Sequence, residues 1–352
     1  MLQEILMMRL TLRKMNTNNY IKGLVSVVIP TYKRSDTLLR AVNSVLAQSY
    51  KKIEVLVVDD NVPGDEYSKE VEKKIDQLSS EKVQLVKQQQ HVNGAKARNE
   101  GIKKAIGEYV AFLDDDDFWL PSKIERQVEV LKSCDKKVGA VSTRKIYFTT
   151  QGLSHISEKW VWQKSQCVDI MAKKLNVSTC TLLVRRSALD EAGYFDESLC
   201  RHQEVQLLSF FSNKFQIVQL DEVLTVIDNS DTGNRPNLEK LIRFKKDYFN
   251  SIKPLIEQRS KREQRFIYYS NLTEVAWVEY RDGNRVKGLL DLYKYISSPK
   301  VFYTFLQRYF EKKKSRKRLQ KYPYKDMILN YLREYEGRER TENIALQEES
   351  RR

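Results

Sequence analysis

The spacing of short apolar runs in the first 115 residues constrains the fold of this chain more than any other feature. Gly23 to Pro30 reads GLVSVVIP, a β-branched run stopped by proline; Ile53–Val58 (IEVLVV), Val83–Val86 and Tyr109–Leu113 (YVAFL) follow. Helical signals lie between them. Ser35 or Asp36 can cap a helix carrying Leu38, Leu39, Val42, Val45 and Leu46 on one face, a polar helix covers roughly Asp65–Ser80, and Asn93-Gly94 opens another that runs through Ile106. Strands alternating with helices predict a mostly parallel sheet covered by helices. Ligands of such sheets bind beyond the carboxyl ends of the strands. Asp59-Asp60 and the run Asp114–Asp117 stand at two of those ends.

From Gly139 to about Ile227 the pattern becomes mixed. Val138–Val141, Ile146–Thr149, Thr181–Arg185 and Val223–Ile227 read as strands, with a helix near Gln203–Asn213. Residues 236–340 read as helices broken near Pro254, Asp282-Gly283-Asn284, Ser297-Ser298-Pro299 and Pro323. The expected organisation is an N-terminal extension over 1–22, a catalytic domain over 23–230 and a basic helical region over 231–352.

Charge supports that division. Of 62 basic and 47 acidic side chains, residues 1–230 hold 33 and 30, and residues 231–352 hold 29 and 17. A near-neutral domain with a basic appendage does not match a uniformly basic nucleic-acid binder, and no nucleic-acid module is present in the pattern, so no nucleic-acid partner is expected. Four scattered Cys beside three His make neither a zinc ribbon nor a disulfide framework, which suits a reducing compartment. No apolar stretch is long enough to span a bilayer, and Glu4 and Arg9 interrupt the first 20 residues; a cytoplasmic protein without a signal peptide is expected.

Four successive aspartates repel one another unless they are paired. A hard divalent cation relieves that repulsion, because Mg²⁺ and Mn²⁺ take carboxylate oxygens and share their shell with phosphates; an acidic loop solvated at a strand end is the alternative. The surrounding motifs decide between them. VSVVIPTYKR (25–34), VLVVDDN (55–61) and the segment NGAKARNEGIKKAIGEYVAFLDDDDFW (93–119) stand in order. Together they resemble the family-2 glycosyltransferases, the inverting group on the GT-A nucleotide-diphospho-sugar fold, over about residues 24–228.

The resemblance implies an α/β GT-A-type fold, a mostly parallel mixed sheet sandwiched by helices, with a C-terminal helical extension. It implies roles residue by residue. Pro30, Thr31 and Tyr32 would border the nucleotide base, and Asp60, or Asp59 beside it, would accept from the uracil N–H. Arg98 would lie near the diphosphate or support the acidic loop. Asp114 would face the ribose, Asp116 would ligate a divalent Mn²⁺ or Mg²⁺, and Asp115 or Asp117 would assist. Family members carry an E-D or H-Q-D element after G-x-F-D-E; here Gly193–Glu197 is followed by Arg201-His202-Gln203-Glu204, which puts Glu204 at the position of the base in place of the usual Asp. His202 is the nearby alternative. Trp160 and Trp162 are candidates to stack on an acceptor sugar, and Ser178, Thr179 and Thr181 to contact the acceptor. His91 and His155 have no assigned role.

The implied reaction moves a sugar from a nucleotide-sugar donor, a UDP-sugar, to a hydroxyl of a glycan or lipid-linked acceptor in surface-polysaccharide synthesis. The alternatives are a catalytically weak nucleotide-sugar-binding protein recruited to membranes, and a sugar nucleotidyltransferase. The latter opens with a Gly-rich basic loop, which Val25–Arg34 lacks. In the basic region Phe302, Phe305, Leu306, Tyr309 and Phe310 recur at helical spacing just before Lys312–Arg318. That pattern suits peripheral contact of 302–318 with an anionic membrane, on the inner face of the cell membrane; packing of the aromatic stripe against neighbouring helices is the other reading.

Overall fold

A computed structural model describes residues 20–160, 166–230, 236–320, 322–323 and 325–336. The chain forms two compact units, one of Met1–Thr143 with Val177–Leu220 and the other of Arg144–Asn176 with Asp221–Arg352. Two of the three boundaries fall within long strands, and the structural division differs from the compositional one near residue 230.

The first unit begins with the predicted alternation: β1 (Ile21–Thr31), α1 (Leu38–Leu46), β2 (Ile53–Asp59), α2 (Glu66–Gln77), β3 (Val83–Lys87), α3 (Gly94–Lys104) and β4 (Gly107–Phe112). β1 pairs in parallel with β2 and β4, and β2 with β3. The strand order 3-2-1-4 therefore brings all four carboxyl ends to one edge. Val27, Val28, Val55, Val57, Val58 and Val110 are fully buried, as parallel strands covered on both faces require. Pro30 is tolerated in β1 because pairing with β4 stops at Val28↔Phe112, leaving only β2 beside it.

After β5 (Phe118–Trp119) and α4 (Lys123–Ser133) comes β6 (Val138–Thr149). β8 (Leu182–Arg185) runs antiparallel between β4 and β6, followed by α6 (Arg186–Ala192) and α7 (Gln203–Lys214), with β7 (Gly152–Ile156) and α5 (Gln166–Met171) falling between in sequence. β9 (Gln216–Asp228) lies beside β6. Thus 138–141 and 146–149 are one continuous strand, and the run read as 223–227 begins at 216.

The second unit contains the β6–β7 hairpin, α5 and the helices α8 (Leu238–Ser251), α9 (Lys253–Glu257), α10 (Lys261–Asp282), α11 (Arg285–Ile296), α12 (Pro299–Gln320) and α13 (Lys325–Glu336). Helix ends fall near 254, 282–284 and 297–299 as the sequence puts them, and a further break at 258–260 separates α9 from α10. Ser260 and Glu263 form a capping box at the start of α10, and Asn284 caps α11 by accepting from Lys287 N at 3.0 Å. Tyr248, Phe266 and Ile267 are buried, and both Tyr248 Oη and Asn271 Nδ2 donate to Met171 O. Ser315 of α12 completes an edge of β7, accepting from Ile156 N at 2.8 Å and donating to Ile156 O at 2.6 Å. Among the described residues no helix is long and apolar enough to cross a membrane.

Candidate active site

The nucleotide-, metal- and base-position candidates belong to the first unit, whereas Trp160, a candidate to stack on an acceptor sugar, belongs to the second. The two aspartates ending β2 are divided in task. Asp59 is buried and accepts from Asn61 N, Asn61 Nδ2 and Ser68 Oγ (2.6–3.0 Å), so it braces the strand end. Asp60 accepts from Gln88 Nε2 at 2.6 Å and meets His91 Nδ1 at 2.9 Å. Burial pushes its carboxyl above the usual range, against the pull of His91 and the Val92 N–H. His91 also stacks on Tyr32, with centroids 3.7 Å apart and planes 11° from parallel. His91 is therefore part of the site, although the sequence showed it as isolated. The 3-2-1 strand order explains this: the loop leaving β3 falls beside the end of β2. Thr31 is buried, and Tyr32 is 36% exposed at the rim.

The acidic run is braced by arginines on two sides. Arg98 pairs with Asp114, and Arg34 with Asp116. Arg40, buried beneath, donates to the Asp116 carbonyl. Burial works to raise the Asp114 carboxyl, but the Arg98 guanidinium outweighs it and holds the group below its usual range. Asp115 is the opposite case. Burial and the neighbouring Asp116 charge push it up to about 7, against a hydrogen bond from Thr31. Asp117 is buried, and Asp114, Asp117 and Cys180 offer ligand atoms within 4.8 Å of one another. Burial, then Asp114 and Asp117, raise the Cys180 thiol well above its ordinary value. It stays a protonated, soft donor, and the hard donors are the aspartates.

Each residue of the 93–101 motif has a physical job. Asn93 caps α3 by accepting from Lys96 N at 3.0 Å and donates from Nδ2 to Glu197 O at 2.8 Å. Ala97 is fully buried. Gly101 lets α3 lie on the sheet, because a Cβ there would sit 2.3 Å from Val28 Cγ1. Asn99, buried, donates to Phe195 O (2.9 Å) and Glu197 Oε1 (2.8 Å) and accepts from Phe195 N (3.1 Å). Asn93 and Asn99 thus clasp Phe195–Glu197, the segment that leads into α7 and Glu204.

Glu204 occupies the first turn of α7, and its N-cap His202 has left-handed backbone (φ 64°). A Cβ on Gly94 would lie 2.9 Å from Arg98 Nη1 and 3.7 Å from Gln203 Oε1, so the starts of α3 and α7 meet at Arg98. Burial opposes the Arg98 charge, but the Asp114 carboxylate, with Glu204, outweighs it. Its Nε is buried with no hydrogen-bond partner.

Beneath the acidic run, Trp119 is buried and donates from Nε1 to Cys180 O at 2.8 Å. Burial holds the Lys123 ammonium well below its usual range; it lies 3.9 Å from the Trp119 ring centroid and donates to Gln127 Oε1 at 2.8 Å. Thr181 is also an interior residue, bonded to Ser178 O and Ser142 Oγ, and Thr179 is buried. Trp162 lies outside the described residues.

The family model described as Glycosyl transferase family 2 matches residues 26–193. The amylovoran biosynthesis glycosyltransferase AmsB of Erwinia amylovora is 31% identical over 192 residues, 52% of this chain and 62% of that protein. The UDP-Glc:alpha-D-GlcNAc-diphosphoundecaprenol beta-1,3-glucosyltransferase WfaP of Escherichia coli is 34% identical over 110 residues, 31% of this chain and 42% of that protein. The chain spans less than two thirds of the length of these curated relatives. A mannosyltransferase of Pyrobaculum calidifontis, solved with GDP-Man and Mn²⁺, matches with a TM-score of 0.52 at 16% identity, over 87% of this chain and 94% of its own. That likeness is one of fold, the GT-A fold. Residues 26–193, which carry the sheet and strand-end motifs described above, match the family-2 glycosyltransferases.

Proposed function

We propose that the chain transfers a sugar from a UDP-sugar to a hydroxyl of a glycan or lipid-linked acceptor in surface-polysaccharide synthesis, with inversion at the anomeric carbon. The observation that carries this reading is the convergence on Arg98. That guanidinium pairs with Asp114 of the acidic run and adjoins the start of α7, where Glu204 stands. Donor and acceptor groups are thereby held on one framework. Tyr32 and Asp60 border the base, Asp114 and Asp115 the ribose and phosphates, and Glu204 takes the proton from the attacking hydroxyl. Arg98 and Arg34 stabilise negative charge developing on the departing diphosphate.

The carboxylates of Asp114 and Asp117, which lie with Cys180 within 4.8 Å of one another, fit a hard divalent cation; Asp116, its expected ligand, is outside that group and pairs with Arg34. When bound, Mn²⁺ or Mg²⁺ supplies further neutralisation of the diphosphate. WfaP is named for glucosyl transfer from UDP-Glc to a GlcNAc-diphosphoundecaprenol and AmsB for amylovoran biosynthesis, which supports the donor and acceptor classes.

The test is nucleotide release by the full chain from a panel of UDP- and other nucleotide-sugars, with glycan and lipid-linked acceptors, in Mn²⁺ or Mg²⁺. One donor should be turned over, and Asp116→Ala should abolish the turnover. If wild type neither binds nor cleaves any donor, the reading fails.

A further inference from the structure

We infer that α11 and α12 form a docking surface for an anionic lipid bilayer, with one face of α11 entering the interface. The inference is independent of the reaction proposed above. It rests on where α11 turns its apolar side chains. Val286, Leu289, Leu290 and Tyr293 recur at i, i+3, i+4 and i+7, the spacing of a core-facing stripe. Here they face outward, exposed by 69%, 53%, 66% and 74%. The helix meets its neighbour on the other side. Gly288 is its buried residue, and a Cβ there would sit 2.4 Å from Tyr280 N of α10. At about 100° per residue, the stripe centres about 150° from Gly288, so close packing on α10 directs it to solvent.

Basic side chains flank the stripe. On the same wheel Arg285 falls on one side and Lys294 on the other, where long stems can lie along apolar surface with the charge in headgroups; Lys287, on the Lys294 side, is paired with Glu279 of α10. α12 repeats the arrangement. It buries Val301, Thr304, Ser315 and Leu319 and exposes Phe302, Tyr303, Phe305 and Phe310. Phe302 and Phe305 of the aromatic stripe are therefore turned outward. Residues 285–318 hold eleven basic and two acidic side chains, a net of +9.

That charge selects the occupant. A second copy would bring +9 against +9, so self-association through this face is electrostatically opposed. Nucleic acid would match the charge but leave a Val-Leu-Leu stripe in water. An anionic bilayer satisfies both features, through apolar insertion and roughly 1 kcal/mol of attraction per basic residue near the surface.

Flotation of the full chain with vesicles of phosphatidylcholine, alone or mixed with phosphatidylglycerol, tests the inference. Wild type should float with the anionic vesicles and not with the neutral ones, and added salt should release it. Leu289→Ser with Leu290→Ser should lower the partition coefficient about tenfold or more while the thermal melt is unchanged, because both residues are exposed in the free chain. Should that variant misfold, Lys294→Gln with Lys317→Gln gives an independent reading, a loss of about fivefold per charge on anionic vesicles. Equal flotation with both vesicles, or none with either, overturns the inference. So does a wild-type dimer that the serine variant dissociates, which would make the stripe a contact between copies.

Discussion

Asn99 offers a direct test of how this fold holds the segment that leads to Glu204. Its side chain satisfies both backbone groups of Phe195, donating to the carbonyl at 2.9 Å and accepting from the N–H at 3.1 Å, and reaches Glu197 as well. Asn99 and Phe195 are each 4% exposed, so water cannot replace those bonds without local opening. Asn99→Ala strands two buried backbone groups, at about 1–3 kcal/mol each, or roughly 2–6 kcal/mol together. The loss should concentrate in the segment leading to Glu204. Hydrogen exchange followed by mass spectrometry over peptides spanning 193–204 reads it locally. An opening free energy lower by about 2 kcal/mol raises exchange at the Phe195 amide roughly 30-fold. Asn99→Asp sharpens the test. It keeps an acceptor for Phe195 N but turns an oxygen toward Phe195 O and the Glu197 carboxylate, so it should remain defective. If Asn99→Ala exchanges at the wild-type rate across 193–204, the clasp does not position this segment.

Gly101→Ala should cost about 1–3 kcal/mol in thermal or denaturant unfolding of the chain, since its methyl would overlap Val28 and press on Val58; an unchanged melt would mean α3 can shift freely on the sheet. Glu204→Gln should lower kcat about 10²- to 10⁴-fold with donor affinity intact, and full activity would move the base elsewhere. In the second unit burial opposes the Glu274 charge, but Lys173 and Lys245 outweigh it and pull its pKa from 4.5 to about 2. A folded pKa below the unfolded one contributes stability that is complete above pH 4.5 and lost as pH falls toward 2. Glu274→Gln should therefore flatten the acid limb of the stability curve in that window, and an unaltered limb would remove the carboxylate from the account.

The parallel core was legible because strands buried on both faces read as unbroken apolar runs, and the strand ends carried their aspartates in plain view. β6 was not legible as one strand. Ser142, Thr143 and Lys145 interrupt its hydrophobic pattern, yet all three are buried, with Ser142 bonded to Thr181 and Lys145 lying against the Tyr147 ring. Tertiary partners override the polar pattern there, and a single chain does not reveal them. The same limit hid His91 and Arg34. Their contacts with Asp60 and Asp116 join positions 31 and 82 residues apart. Asn93 and Asn99 were visible as motif residues, but their task of holding a segment about 100 positions downstream was not. The apolar face of α11 has the spacing of a core stripe, and only the packing of Gly288 on α10 shows which way it points.

The central claim is that the strand-end aspartates hold a nucleotide diphosphate together with a divalent cation. Calorimetric titration of UDP into the full chain, with Mn²⁺ and with chelator, tests it most directly, alongside Asp116→Ala. The account predicts saturable binding that requires Mn²⁺ and is lost in Asp116→Ala. Binding of equal strength in chelator, or in the variant, would contradict it, as would the absence of any binding by the wild-type chain.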